Sequence, residues 1–134
     1  MLITEFIKRG ITVLTPIGDN EPFDFVILIN NNFLKVQVKT TECVKDGLMI
    51  FRTNITNPYK KTNRKYTKEE IDLFGLYCIE NDYIGLLSID EYTCKDTNIR
   101  LVPPQNNQWR KTKMAENYSF DIQFDKLLEK YNNA

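Results

Sequence analysis

The residues of this chain that could support chemistry are acids, amides and lysines, because the sequence contains no histidine. That absence excludes Ser-His-Asp and Cys-His catalysis and HExxH zinc sites. Acid, base or metal chemistry must therefore use carboxylates, amides, lysine or water. Asp24 and, thirteen residues further on, the stretch "QVK" from Gln37 to Lys39 supply these groups.

Asp24 and the "QVK" stretch belong to "DFVILINNNFLKVQVKT" (24–40), which predicts a β-hairpin. A two-residue turn at Asn31 and Asn32 would create an apolar face that pairs Phe25 with Val38, Ile27 with Val36 and Ile29 with Leu34. The other face would pair Asp24 with Lys39, Val26 with Gln37 and Leu28 with Lys35. Asp24, Gln37 and Lys39 would then converge at the end away from the turn. A structural alternative is a cross-strand salt bridge beside a solvated glutamine, worth about 0–1 kcal/mol if exposed.

The rest of the chain predicts elements that surround this hairpin. We expect a first helix ending at Gly10, a strand over 11–16, and a further strand over 47–53. The capping-box pair Thr67 and Glu70 predicts a brief helix over "KEEIDLF". A second hairpin turns around Asn81 and Asp82, and a final helix covers 119–131. This order predicts a mixed α/β or α+β fold with a central sheet flanked by helices.

Composition indicates one globular domain over residues 1–134. Eighteen basic and eighteen acidic side chains cancel, so net charge gives no argument for a nucleic-acid partner. We expect no membrane partner, because no apolar run approaches the roughly 20 residues that a membrane span needs. The three scattered cysteines suit a reducing compartment, so we expect an intracellular, cytoplasmic protein.

Beyond the spacing of Asp24 and "QVK", longer blocks of the sequence resemble a known family. The stretches are "VLTPIGDNEPFD", "LKVQVKT", "GLMIFRT", "KYTKEEIDLFGLYCIENDYIGLLSIDE" and "RLVPPQNNQ". They are similar to the PD-(D/E)XK nuclease superfamily, in particular to the branch of group I intron-encoded homing endonucleases and their relatives that carries Gln in the "QxK" position. The resemblance covers most of the chain up to about residue 118, and it implies a restriction-endonuclease-like core.

The resemblance implies Mg²⁺-dependent hydrolysis of phosphodiester bonds in double-stranded DNA, with Mn²⁺ as a substitute. Asp24 would be the main metal ligand, with Gln37 and the backbone carbonyl of Val38 as further ligands. Lys39 would stabilise the attacking hydroxide or the developing phosphorane charge. Asp24, Gln37 and Lys39 are therefore the implied catalytic residues.

One acid of the family pattern is displaced. The family usually contributes a glutamate about ten or more residues before the glycine that ends the first helix, and counting back from Gly10 places it at or before Met1. Glu5 is the only acid of this helix; it lies at a different offset and is a candidate substitute ligand. Either the coding start lies further upstream, or one acid of the metal site has been lost.

Two basic segments predict DNA contacts. The basic loop over 54–66 and the residues that follow it contain Lys60, Lys61, Arg64, Lys65 and Lys68 without an acid between them. The segment "QWRKTK" adds a second group of cations, which are Arg110, Lys111 and Lys113. A solvated loop is the plain alternative for both.

The resemblance also implies self-assembly into a homodimer or homotetramer, because a chain this small has little surface with which to read a long target. Three other functions stay open at this point. The chain could be a catalytically weakened nuclease fold that only binds DNA, a junction resolvase or repair nuclease, or a structural interaction domain.

Overall fold

The computed structural model describes residues 2–18, 20–57, 62–93, 96–103 and 112–132. Helix α1 (Leu2–Lys8) and helix α2 (Phe120–Tyr131) lie near the two ends. The described part of the chain contains ten strands: β1 (Thr12–Leu14), β2 (Phe25–Ile29), β3 (Asn32–Thr41), β4 (Leu48–Phe51), β5 (Ile55–Asn57), β6 (Thr62–Arg64), β7 (Leu73–Cys78), β8 (Tyr83–Ser88), β9 (Thr97–Arg100) and β10 (Lys113–Met114). Within these ranges, neither helix has the length and apolar character of a membrane span.

The central sheet has five strands in the order β1-β2-β3-β7-β8. β1, β2 and β3 pair antiparallel, β3 and β7 pair parallel, and β7 and β8 pair antiparallel again. A second sheet has the order β10-β9-β4, and β5 pairs with β6. The predicted mixed α+β fold with a central mixed sheet is confirmed.

One face of the central sheet packs against both helices. Phe25, Ile27 and Ile29 alternate along β2 and are buried, because a strand directs every second side chain to the same face. The remaining residues of this core come from both helices and the neighbouring strands: Leu2, Phe6, Leu34, Val36, Leu73, Leu86, Phe120, Phe124 and Leu127. The first helix therefore packs on one face of the central sheet. Gln37 belongs to strand β3 of that sheet, and Asp24 lies just before strand β2.

Gly75 of β7 leaves room for the side chain of Leu2 from helix α1. A Cβ atom at Gly75 would lie 2.6 Å from Cδ1 of Leu2. That distance is too short for two carbon atoms, so a larger residue at Gly75 would require the Leu2 side chain to move.

The other face of β7 and β8 packs against the second sheet. Phe74, Leu76 and Leu87 are fully buried there against Met49 and Phe51 of β4. On this same side, β3 places the half-buried Lys35, Gln37 and Lys39. The polar residues of β3 thus lie beside a second apolar core.

The turn of the first hairpin lies at Asn30 and Asn31, one residue earlier than predicted. These asparagines have φ angles of 46° and 68°, a conformation that asparagine tolerates and that a tight hairpin turn requires. Phe25 therefore pairs with Val36 and not with Val38, so the predicted register is wrong by two residues. Since the side-chain period of a strand is also two, each residue keeps its predicted face.

The predicted helix over "KEEIDLF" is wrong. The capping bonds form, because the Thr67 N–H donates to Oε1 of Glu70 at 3.1 Å and the Ile71 N–H donates to the Thr67 carbonyl at 3.1 Å. Only one turn follows, however, and Leu73 begins strand β7. Burial on both faces of the central sheet outweighs the local helix signal at this point.

Candidate active site

Asp24 lies just before β2, where its main chain and its carboxylate both contact β3. Its N–H donates to the Val36 carbonyl at 2.8 Å, and its Oδ2 accepts from the Val38 N–H at 2.7 Å. The exposed carboxylate is therefore held at the edge of β3 beside Val38. The predicted position directly opposite Lys39 is wrong, because the register is shifted, but Asp24 still meets the "QVK" stretch.

The Val38 carbonyl points toward the same edge as Asp24. Lys35 and Thr41 direct their carbonyls to the β7 side, where they accept from Asp72 at 2.8 Å and Ile79 at 3.0 Å. Val36 directs its carbonyl to the opposite side, where it meets Asp24. Main-chain groups alternate along a strand, so Val38 has the same orientation as Val36.

Gln37 and Lys39 lie on the face that looks toward the second sheet, about 7 Å apart along the strand. Gln37 pairs with Phe74 and Lys39 pairs with Leu76 of β7. Both polar side chains are half buried. The Gln37 amide and the Lys39 ammonium therefore lie at the border of the core. Buried apolar residues lie on one side of them and the open strand edge lies on the other.

Tyr66 holds the ammonium group of Lys39. Nζ of Lys39 donates to the Tyr66 hydroxyl at 3.0 Å and lies 5.0 Å from the centroid of that ring. Tyr66 is itself fixed edge-on against Phe74, with ring centroids 5.3 Å apart. Sequence reasoning missed this role, because Tyr66 reads as one of two tyrosines in a basic segment. No local sequence pattern links Tyr66 to Lys39, because the contact joins residues 27 positions apart.

Glu5 is held by cations of its own helix. Its Oε2 accepts from Nη1 of Arg9 at 2.8 Å, and Nζ of Lys8 lies 3.8 Å from Oε1. The hydrogen bond from Arg9 lowers the pKa of the Glu5 carboxyl. Arg9 also pairs with Asp121 and lies 4.5 Å from the centroid of Phe120. Glu5 therefore takes part in joining α1 to α2, and its role as a substitute ligand stays a prediction.

The candidate metal ligands at Asp24 and in the "QVK" stretch are hard oxygen atoms. They are a carboxylate, the amide oxygen of Gln37 and the carbonyl of Val38, a chemistry that suits Mg²⁺, which keeps several of its waters. Within the described ranges, no three His, Cys, Asp or Glu side chains come together as a metal cluster. A cation here would be held by one carboxylate with neutral oxygen donors, so the residues fit a weakly charged site.

Two described cations of the predicted DNA contacts, Arg64 and Lys68, are engaged in ion pairs. Arg64 makes a two-pronged contact with Glu70 at 2.6 and 3.0 Å, which raises the pKa of Arg64 and lowers the pKa of Glu70. Lys68 pairs with Asp90, and this raises the pKa of Lys68 and lowers the pKa of Asp90.

The remaining predicted DNA contacts have different positions. Lys65 is exposed and Lys113 is half buried in β10. The ends of the predicted loop form strands β5 and β6, which pair with each other. The predicted contacts that lie outside the described residues are Lys60, Lys61, Arg110 and Lys111.

Comparisons with known proteins relate this arrangement to nucleases. A family model described as PD-(D/E)XK endonuclease matches residues 1–121. The structure is similar to that of a bacterial homing endonuclease, I-Ssp6803I, with a TM-score of 0.70 and 25% sequence identity. The match covers 96% of this chain and 86% of that one, and it confirms the restriction-endonuclease-like fold. A search of curated proteins gives no match. The chain belongs to the PD-(D/E)XK endonuclease family.

Proposed function

We propose that this nuclease is a Mg²⁺-dependent endonuclease that hydrolyses phosphodiester bonds in double-stranded DNA, of the homing type. The observation that supports this most is the contact between Asp24 Oδ2 and the Val38 N–H at 2.7 Å. This contact holds the Asp24 carboxylate against the "QVK" stretch of β3. The structural likeness to a homing endonuclease supports the type of substrate.

Asp24, Gln37 and Val38 would hold the cation through oxygen atoms. The hydrogen bond from Val38 fixes one oxygen of Asp24 and directs the carboxylate to the strand edge. When bound, Mg²⁺ supplies a Lewis acid that polarises the phosphate and lowers the pKa of a coordinated water. Mn²⁺, which prefers the same oxygen ligands, substitutes for it.

Lys39 would neutralise the charge that develops on the phosphorane. Its ammonium is held by the Tyr66 hydroxyl at 3.0 Å, so it does not have to be ordered when the substrate arrives. A charge that is already oriented stabilises a transition state better than one that must reorganise. Tyr66 thus acts through Lys39 as a positioning residue.

We also propose that the protein associates with copies of itself. A chain of 134 residues offers little surface for reading a long DNA target. A homodimer or homotetramer would present two or more copies of the site, with symmetry matched to a roughly palindromic sequence.

Cleavage of supercoiled plasmid tests the proposed function. The wild-type protein is incubated with Mg²⁺, with EDTA, and beside the variants Asp24→Ala and Lys39→Ala. We expect nicked and linear products with wild type and Mg²⁺, and at least about 100-fold slower cutting by either variant. Equal background cutting by all three proteins, with or without the cation, would remove the enzymatic proposal.

A second candidate is a weakened nuclease fold that only binds DNA. The neutral amide of Gln37 and the ion-paired state of Glu5 support it, because the site then has a single free carboxylate. This candidate predicts salt-dependent retention of duplex DNA without cation-dependent cutting. Cation-dependent cutting that disappears in Asp24→Ala would exclude it.

A further inference from the structure

A groove lies between β3 and the outer side of β4, next to the proposed site. We call it the β3–β4 groove, and it has a volume of about 440 Å³. The residues that matter for its chemistry are Thr40, Thr41, Glu42, Lys45 and Arg52. Its lining contains two cations and one acid, so it has a net positive charge.

The β3 side of the groove is a continuation of the strand edge that Asp24 contacts. The pairing of β2 with β3 ends at Val36, whereas β3 runs on to Thr41. Asp24 meets this edge at Val38. Thr40 is the next residue of the same orientation, about 7 Å further along. Its main-chain groups therefore lie on the same side as the Val38 carbonyl.

The two cations are directed to the groove by local structure. Met49 and Phe51 of β4 are fully buried, so the alternate residues Ile50 and Arg52 face outward. Lys45 lies at the start of a tight turn, where its N–H donates to the Leu48 carbonyl at 2.9 Å. These positions make Lys45 and Arg52 a pair of charges beside one strand edge.

These two cations differ from those of the predicted DNA loop. Arg64 and Lys68 are already neutralised by Glu70 and Asp90. Lys45 and Arg52 have no ion-pair partner in the part of the chain that the structure describes. A cation without an internal partner is available to a phosphate without first breaking a salt bridge.

We propose that the β3–β4 groove binds backbone phosphates of duplex DNA next to the bond that is cut, with Arg52 and Lys45 as the contacting residues. This proposal rests on the proposed DNA substrate and adds the surface that holds it. Glu42 opposes binding from the same groove. Because the groove lies along β3, a DNA strand bound in it would follow the sheet edge, and its phosphates would pass Asp24.

Binding of a labelled duplex of about 30 base pairs in EDTA, measured by fluorescence anisotropy over a range of salt, tests this surface. We expect Arg52→Gln and Lys45→Gln each to weaken binding about fivefold and to reduce the slope of log K against log salt by about 0.9. Arg52→Lys should retain most of the affinity, and Glu42→Gln should tighten binding. Lys126→Gln, which removes one exposed charge from helix α2, should bind like wild type.

The possible outcomes distinguish a failure of the groove proposal from a failure of the proposed function. Wild-type binding with unchanged affinity and slope in Arg52→Gln and Lys45→Gln would overturn the groove and leave the nuclease proposal standing. An equal loss in Lys126→Gln would also overturn it, because only total charge would then matter. Failure of the wild-type protein to bind duplex DNA at low salt would overturn the groove and the proposed function together.

Discussion

The ammonium Nζ of Lys39 lies 3.0 Å from the hydroxyl oxygen of Tyr66. It also lies 5.0 Å from the centroid of the tyrosine ring, so the same side chain offers a hydrogen-bond acceptor and a π face. Tyr66 is 9% exposed and packs against Phe74. The proposed catalytic lysine is therefore oriented by a residue of the second apolar core.

Replacing Tyr66 by Phe should slow DNA cleavage about tenfold without weakening DNA binding. The ring and its packing against Phe74 are kept, but the hydroxyl that orients Lys39 is lost, so transition-state stabilisation falls while ground-state binding does not. Single-turnover cleavage rates and duplex affinity, measured on the same preparations, check this prediction.

The double variant separates positioning from general destabilisation. In a Lys39→Ala background, Tyr66→Phe should cause no further loss of rate, because the group that it positions is absent. An equal additional loss in that background would mean that Tyr66 acts independently of Lys39.

Asn31 should be replaceable by Gly but not by Val. Its φ of 68° is a conformation that Gly adopts freely and a β-branched residue adopts only under strain. We expect Asn31→Gly to leave the free energy of unfolding unchanged or raise it by about 0.5 kcal/mol, and Asn31→Val to lower it by about 1–2 kcal/mol. Urea denaturation of both variants measures this. If Asn31→Val and Asn31→Gly were equally stable, the turn at Asn30 and Asn31 would be wrong.

Glu5 should contribute to stability in a pH-dependent way. The hydrogen bond from Arg9 lowers its pKa below the ordinary value of 4.5. The folded state therefore gains from the charged carboxyl fully above that value and loses this gain as pH falls through the lower folded pKa. We expect Glu5→Gln to cost about 0.5 kcal/mol at pH 7 and less at pH 3.

Urea denaturation at both pH values, beside Mg²⁺ titrations of cleavage, distinguishes the two roles of Glu5. A structural ion pair predicts the pH-dependent cost and an unchanged Mg²⁺ midpoint. A shift of the midpoint without a difference in stability would instead identify Glu5 as a ligand.

The faces of the first hairpin were predictable from the sequence, but its register was not. Any shift by two residues leaves the apolar side of Phe25, Ile27 and Ile29 intact, and three consecutive asparagines allow either turn. A tertiary contact favours the observed one. The Asn30 amide donates to the Tyr131 carbonyl of helix α2 at 2.9 Å, and no local pattern contains that information.

The site shows the same division between local and tertiary information. Gln37 and Lys39 alternate with buried residues, so their common face follows from period-two spacing. The hydrogen bond between Lys39 and Tyr66 depends on how the chain after β6 packs against β7. The helix predicted from Thr67 and Glu70 failed for a related reason, because the capping bonds are local while the pairing of β7 with β3 is not.

Dependence of cleavage on Mg²⁺ concentration tests the proposed metal site most directly, because single substitutions change its charge in both directions. Single-turnover rates on a supercoiled plasmid are measured against Mg²⁺ for wild type, Gln37→Glu and Asp24→Asn. Adding a carboxylate at position 37 should lower the Mg²⁺ concentration for half-maximal rate about tenfold, equivalent to about 1.4 kcal/mol. Asp24→Asn should show no saturable cation-dependent cleavage. Superimposable Mg²⁺ curves for all three proteins would contradict a cation site formed by Asp24, Gln37 and the Val38 carbonyl.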